Sequence, residues 1–163
     1  MLIRLKNKDT LLLDDFIFRC SIGKNGIRIK KKEGDYCTPT GTFSLKTLYY
    51  RPDRVQKPET KIITKKIGKN MGWCNDPKNK KYNSLINIKE KMRYEKIYRQ
   101  DHKYNFLIVI DYNLKKPIPH KGSAIFIHLT NNSKPTAGCI ALKEKDLLIL
   151  LKLVNKKTKI KIS

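Results

Sequence analysis

The chemistry this chain can carry is concentrated between residues 123 and 142. A histidine, His128, comes late in the apolar run SAIFIHL, and eleven positions on Cys139 follows a glycine in PTAGCIAL. A free thiol has a pKa near ~8.5 and is mostly protonated at neutral pH, whereas a neighbouring imidazole can take the proton or stabilise the thiolate. Strand alternation sends Ile125, Ile127 and Leu129 to one face of the run and Phe126 and His128 to the other. The loop TNNSKP then leaves room for the chain to fold back, so that imidazole and thiol meet. The N–H groups of Gly138 and Cys139 are the expected holders of a tetrahedral oxyanion, with Gly138 letting a substrate carbonyl lie against the backbone. The competing structural reading is a buried histidine bonded to backbone and a thiol with no task.

Positioning such a pair needs a rigid frame, and the pattern before and after it supplies one. The runs LIRLKN, LLLDDFIFRCSI, GIRIKKK and GTFSLKTLYY alternate with period two between Gly, Asp, Asn and Pro punctuation, which reads as an antiparallel meander. NFLIVIDY is apolar on both alternating faces, the mark of a central strand. After the cysteine, Leu147, Leu150, Leu151 and Val154 recur at i, i+3, i+4 and i+7, an amphipathic helix, and TKIKIS closes the chain as a strand. Residues 51–100 differ: polar, irregular and carrying the single tryptophan, Trp73, they read as a functional insertion or lid. A short helix is expected within NIKEKMRYEKIY, with Ile88, Met92 and Tyr94 partly buried. The sum is one mainly β domain over 1–163 with one clear helix.

Composition narrows the partners. With 37 Lys+Arg against 14 Asp+Glu the net charge is +23, enough to draw the protein to any polyanion, including nucleic acid, an acidic membrane surface or a cell-wall polymer. The lysines are scattered and outnumber the arginines, and no RNA-binding or helix-turn-helix signature is present, so specific nucleic-acid recognition is not expected. Four cysteines, Cys20, Cys37, Cys74 and Cys139, form no C-x-x-C pair and have no histidine at metal-ligand spacing, so neither a zinc site nor a redox pair is suggested. Lys6, Lys8, Asp14 and Asp15 interrupt the only apolar start, and no run of about 20 apolar residues occurs. The chain reads as soluble and without an address label.

The His128 strand followed by Thr136, Ala137, Gly138, Cys139 and Ile140 resembles the L,D-transpeptidase (YkuD-type) catalytic domain, whose hallmark is a strand histidine followed by [S/T]-x-G-C-[I/V/L]. TPTGTFSL, Thr38 to Leu45, is similar to the Thr-Pro-x-Gly-x-Phe turn and strand found upstream in that family, and Asp146 stands where an acidic residue opens its leucine-rich helix. The resemblance covers residues 20 to 163. Ala137 and Ala141 depart from it, since the family usually has histidine before Gly-Cys and arginine or asparagine two places after the cysteine. The His-to-Cys separation is also shorter than in many members.

This resemblance implies a β-sandwich or mixed-sheet domain of the L,D-transpeptidase type and a reaction on peptidoglycan stem peptides. Cys139 would be acylated by the carbonyl of the stem's diamino acid, and an amine of a second stem would take the acyl group. His128 would serve as base and acid, its other ring nitrogen held by a backbone carbonyl such as that of Leu129. No metal or organic cofactor is required, because bond exchange replaces ATP. Tyr50, Arg51, Arg54, Trp73 and Thr136 are the expected shapers of the groove. A monomer acting in the periplasm or cell envelope is expected from the resemblance. Two alternatives remain: a carboxypeptidase or other amide hydrolase on the same scaffold, and a non-catalytic basic module bound through its charge.

Overall fold

Period-two alternation becomes strand wherever a buried face is available. In the computed structural model, which describes residues 1–29, 32–89 and 92–163, the chain begins with β1 (Leu2–Lys6), β2 (Thr10–Leu13) and β3 (Phe16–Ser21), followed by the short β4 (Ile27–Arg28) and β5 (Thr38–Pro39) and the ten-residue β6 (Gly41–Tyr50). The run LLLDDFIFRCSI is thus two strands, turned at Asp14 and Asp15. Asp14 takes φ 50°, a left-handed conformation that short polar side chains tolerate in tight hairpins.

The middle of the chain forms β7 (Thr64–Lys66), β8 (Met71–Cys74), β9 (Leu85–Asn87) and β10 (Tyr94–Lys96). Here the expected short helix is corrected. Its two ends are strands paired to β8, with Leu85 opposite Trp73 on one side and Glu95 opposite Trp73 on the other. Backbone pairing to a neighbour outweighed a weak helical pattern, and the expected partial burial of Ile88, Met92 and Tyr94 is present. Glu90 and Lys91, within the expected helix, and Lys30 and Lys31 lie outside the described residues.

The last third contains β11 (Phe106–Ile110), β12 (Phe126–Leu129), β13 (Ile140–Leu142), α1 (Glu144–Leu153) and β14 (Lys159–Ile162). Going round, β6 pairs with β11, then β12, β13, β3, β2, β1 and β14, which returns to β6, so eight strands close into a barrel. The β1–β14 and β12–β13 pairs are parallel and the other pairs of the circuit antiparallel. The meander expected of the first third holds for β1 to β3 and stops there, because β14 enters between β1 and β6. Closure removes the unpaired sheet edges that an open sheet of this size would present.

The barrel interior is an apolar cluster including Ile3, Leu5, Leu11, Leu45, Ile108, Ile127 and Ile160, and α1 adds Leu147, Leu150 and Leu151 to it. Each such side chain contributes about 1.5–3 kcal/mol by leaving water. A second cluster lies on the other face of β11 and β12, where Leu107, Val109 and Phe126 are covered by Ile67, Trp73 and Ile97 from the 51–100 segment. NFLIVIDY is apolar on both faces because each face has its own core. The segment expected to be irregular is therefore partly a small sheet, packed as an outer wall.

Candidate active site

The parallel pairing of β12 with β13 places Ile127 beside Ile140 and His128 beside Ala141. Cys139, one residue earlier, lies beside Phe126, whose N–H donates to its Sγ at 3.4 Å. Thiol and imidazole thus share the outward face, two residues or about 7 Å apart along the strand direction, and both line one pocket of about 380 Å³. The thiol itself donates to the Ala124 carbonyl at 3.2 Å. This pocket is within the usual size of small-ligand sites.

His128 is buried, and its Nδ1 lies 2.8 Å from the Leu129 carbonyl, the contact that the resemblance implied. A carbonyl only accepts, so Nδ1 carries the proton and Nε2 presents a lone pair. Burial lowers the imidazole pKa to about 4, opposed by the Leu129 bond and assisted by Lys103 and Arg99. At neutral pH the ring is uncharged and able to accept a proton. The Cys20 thiol, outside this pocket, is pushed by burial and by the nearby Asp9 up to a pKa of about 12, which leaves it protonated.

The cysteine loop is held by the upstream TPTGTFSL stretch. Thr38 is fully buried, its hydroxyl accepts the Gly23 N–H at 2.8 Å, and Gly23 bridges in parallel to Thr136. Gly138 has φ 142°, and a Cβ there would lie 2.8 Å from the Cys37 carbonyl oxygen. The glycine is therefore required by the Cys37 backbone packed against it, a reason for the bare backbone that the sequence reading did not give. Its N–H also has a partner, donating to Thr136 Oγ1 at 3.1 Å, while that hydroxyl donates to the Cys139 carbonyl at 2.6 Å. Gly138 and Cys139 precede β13 at a loop-to-strand junction, and α1 starts five residues after the cysteine.

Across the pocket stands a wall that the sequence reading missed. Tyr104 packs its ring edge-on to His128, centroids 5.2 Å apart, and its hydroxyl donates to Glu95. Burial raises the Glu95 carboxyl pKa, opposed by the Tyr104 bond. Glu33, Asn75, Ser123 and Thr130 complete much of the polar lining, with Arg99, Lys103 and Lys134 supplying positive charge. Tyr104 directly precedes the central strand run, a position that could have flagged it. Glu33, Asn75 and Glu95 sit in polar stretches with no period to mark them.

A family model for the L,D-transpeptidase catalytic domain, YkuD, matches residues 3–162. The chain belongs to the YkuD family. Membership implies activity of the L,D-transpeptidase type on peptidoglycan, by a cysteine enzyme that acts at the cell wall. No match was found among curated proteins or among solved structures. Among the described residues no helix is long and apolar enough to cross a membrane.

Within this YkuD domain the two departures from the family pattern have distinct places. Ala141 is buried beside His128 and lines the pocket, so its small side chain leaves space next to the imidazole, whereas Ala137 is exposed at the rim. Thr136 is the expected groove residue that does line the pocket. The other four are absent from its lining. Tyr50 is in the barrel core. Trp73 is buried edge-to-face on Phe126 and donates to Asn83 Oδ1 at 2.9 Å. Arg51 is buried under Tyr98, paired to Asp53 and bonded to the Arg99 carbonyl. Arg54, exposed, donates to the Gln100 and Asp101 carbonyls. Both arginines were expected to shape the groove; they tie residues 51–54 to the 99–101 loop, from which Arg99 reaches the pocket.

Proposed function

We propose that this YkuD domain is a peptidoglycan L,D-transpeptidase with Cys139 as nucleophile and His128 as the proton carrier. The observation that supports the reading most is that the two side chains share one outward face and one pocket, with His128 Nε2 kept as a lone pair. The thiol proton passes to Nε2 as Sγ attacks the carbonyl of the donor stem's diamino acid. The C–N bond beyond it then breaks, and the imidazolium returns the proton to the leaving amine. A thioester remains on Cys139. The side-chain amine of a second stem attacks it, the C–S bond breaks, and the amine's proton goes through His128 to the departing thiolate. The proposed oxyanion donors are the Gly138 and Cys139 N–H groups, with the Gly138 N–H exchanging its Thr136 partner for the substrate oxygen at a cost of about one hydrogen bond, ~1 kcal/mol.

The test is mass spectrometry of muropeptides, and of the intact protein, after incubation with wild type and with Cys139→Ala. Cross-linked dimers and a thioester adduct from the wild type alone are expected, with the variant at least about a thousandfold less active. Shortened monomers without dimers would move the assignment to a carboxypeptidase. Identical behaviour of the two proteins would overturn cysteine catalysis and favour a charge-held binding module.

A further inference from the structure

The pocket beside Cys139 is polarised in a way the overall charge would not suggest. In a chain of net charge +23, its lining includes two carboxylates, Glu33 and Glu95. Each accepts a hydrogen bond from a tyrosine of a different strand or loop, Tyr82 for Glu33 and Tyr104 for Glu95. The two are close enough that the Glu33 charge contributes to raising the Glu95 pKa. A bonded carboxylate keeps further lone pairs for a ligand.

A second, independent observation lies in the same wall. Four buried side-chain atoms among the described residues lack a hydrogen-bonding partner, and three of them, Asn75 Oδ1, Ser123 Oγ and Thr130 Oγ1, belong to residues that line this pocket. Ser123 is only 6% exposed, and its hydroxyl lies beside Tyr82 without a bond of normal geometry. Buried polar atoms are seldom left unpaired unless something else satisfies them. With Glu33 and Glu95 added, the wall offers mainly acceptors, while Lys103, whose charge reaches Glu95, and Lys134 bring donors to the same lining. Arg99 already donates two hydrogen bonds to the Asp101 carboxylate, at 2.8 and 2.6 Å.

We infer that the wall formed by Glu33, Asn75, Glu95 and Ser123 is a recognition site for a primary ammonium group of the peptide substrate. An ammonium has three donors and no acceptor, the complement of this wall. Carboxylates of the same peptide would pair with Lys103 and Lys134 of the same lining. Tyr104 links the site to the reacting groups, because one side chain holds Glu95 with its hydroxyl and packs its ring on His128. The inference rests on the acyl-transfer reading only for what the ligand is, and its binding test does not need turnover.

In the Cys139→Ala protein, calorimetry would compare a stem peptide carrying a free side-chain amine with the same peptide acetylated at that amine. The free amine is expected to bind about tenfold more tightly or better, the scale of one charge-assisted hydrogen bond. Adding Glu95→Gln or, separately, Glu33→Gln should shrink that preference to about twofold while the acetylated peptide binds as before. Equal affinity for the two peptides, or a preference that survives both substitutions, would overturn the site. In the Cys139-containing enzyme, Glu95→Gln slowing thioester formation would assign the ammonium to the donor stem. A lower ratio of transfer to hydrolysis at unchanged thioester formation would assign it to the incoming amine. If the wild type forms no thioester while the binding preference persists, the transpeptidase reading falls and the ammonium site stands.

Discussion

β12 faces two different environments within four residues. Its inward side chains, with Ile125 just before it, enter a barrel interior built almost wholly from aliphatic groups, whereas on the other face Phe126 packs in a second apolar cluster and His128 lines a pocket with two carboxylates, three basic side chains and unpaired polar atoms. The same backbone hydrogen bonds hold both sides. The difference teaches that rigidity and reactivity are separable here: the inner face supplies stiffness through burial, and the outer face spends it on keeping an uncharged imidazole and a thiol in register. Substitutions on the two sides should therefore fail in different ways.

The largest effect is expected on the outer face. His128→Gln should lower acyl transfer by about 10²- to 10⁴-fold, the usual worth of a proton carrier, while the midpoint of thermal unfolding at pH 7 stays close to wild type. Steady-state assay beside a melting curve checks both halves, and a large loss of stability at pH 7 would show that the ring is part of the core. On the inner face Ile127→Ala should cost about 2–5 kcal/mol in urea unfolding and leave the activity per folded molecule nearly intact. A selective loss of turnover in that variant would break the separation of the two faces.

A third, somewhat smaller effect is in the pH dependence of stability. His128 has a pKa of about 4 in the folded protein and about 6.5 when unfolded, so the unfolded chain binds this proton more readily between those values. Its contribution is fully present above pH 6.5 and is lost as pH falls to 4, a change of roughly 3 kcal/mol. The difference between wild type and His128→Gln in urea midpoints at pH 7 and pH 4 isolates it from the other titrating groups. Parallel pH profiles for the two proteins would mean that the imidazole is hydrated and not buried.

Much of the reactive pair was legible in the residues. Alternation in SAIFIHL assigned His128 to the face opposite Ile127, and the Gly-Cys pair marked the loop that meets it, because strand period and residue type are read locally. The wall opposite was not legible. Glu95 and Asn75 reach the pocket only because β10 pairs with β8 and that small sheet packs on β11 and β12, and nothing in a polar stretch announces such a pairing. Arg51 and Arg54 misled for a related reason: an arginine near a functional segment serves equally well to bind a ligand or to tie two loops.

By itself the sequence determined the mainly β character, the leucine-lined helix after the cysteine, the membership signalled by His128 and the Gly138–Cys139 motif, and the strong positive charge. These follow from residue type and short-range spacing. Only the tertiary structure decided that β14 would enter between β1 and β6 to close the barrel, that Gly138 is demanded by the Cys37 carbonyl, and that Glu33 and Glu95 would face the cysteine from a distant part of the chain. Such juxtapositions depend on which burial and pairing solution is lowest for the whole chain, and no local pattern contains that information.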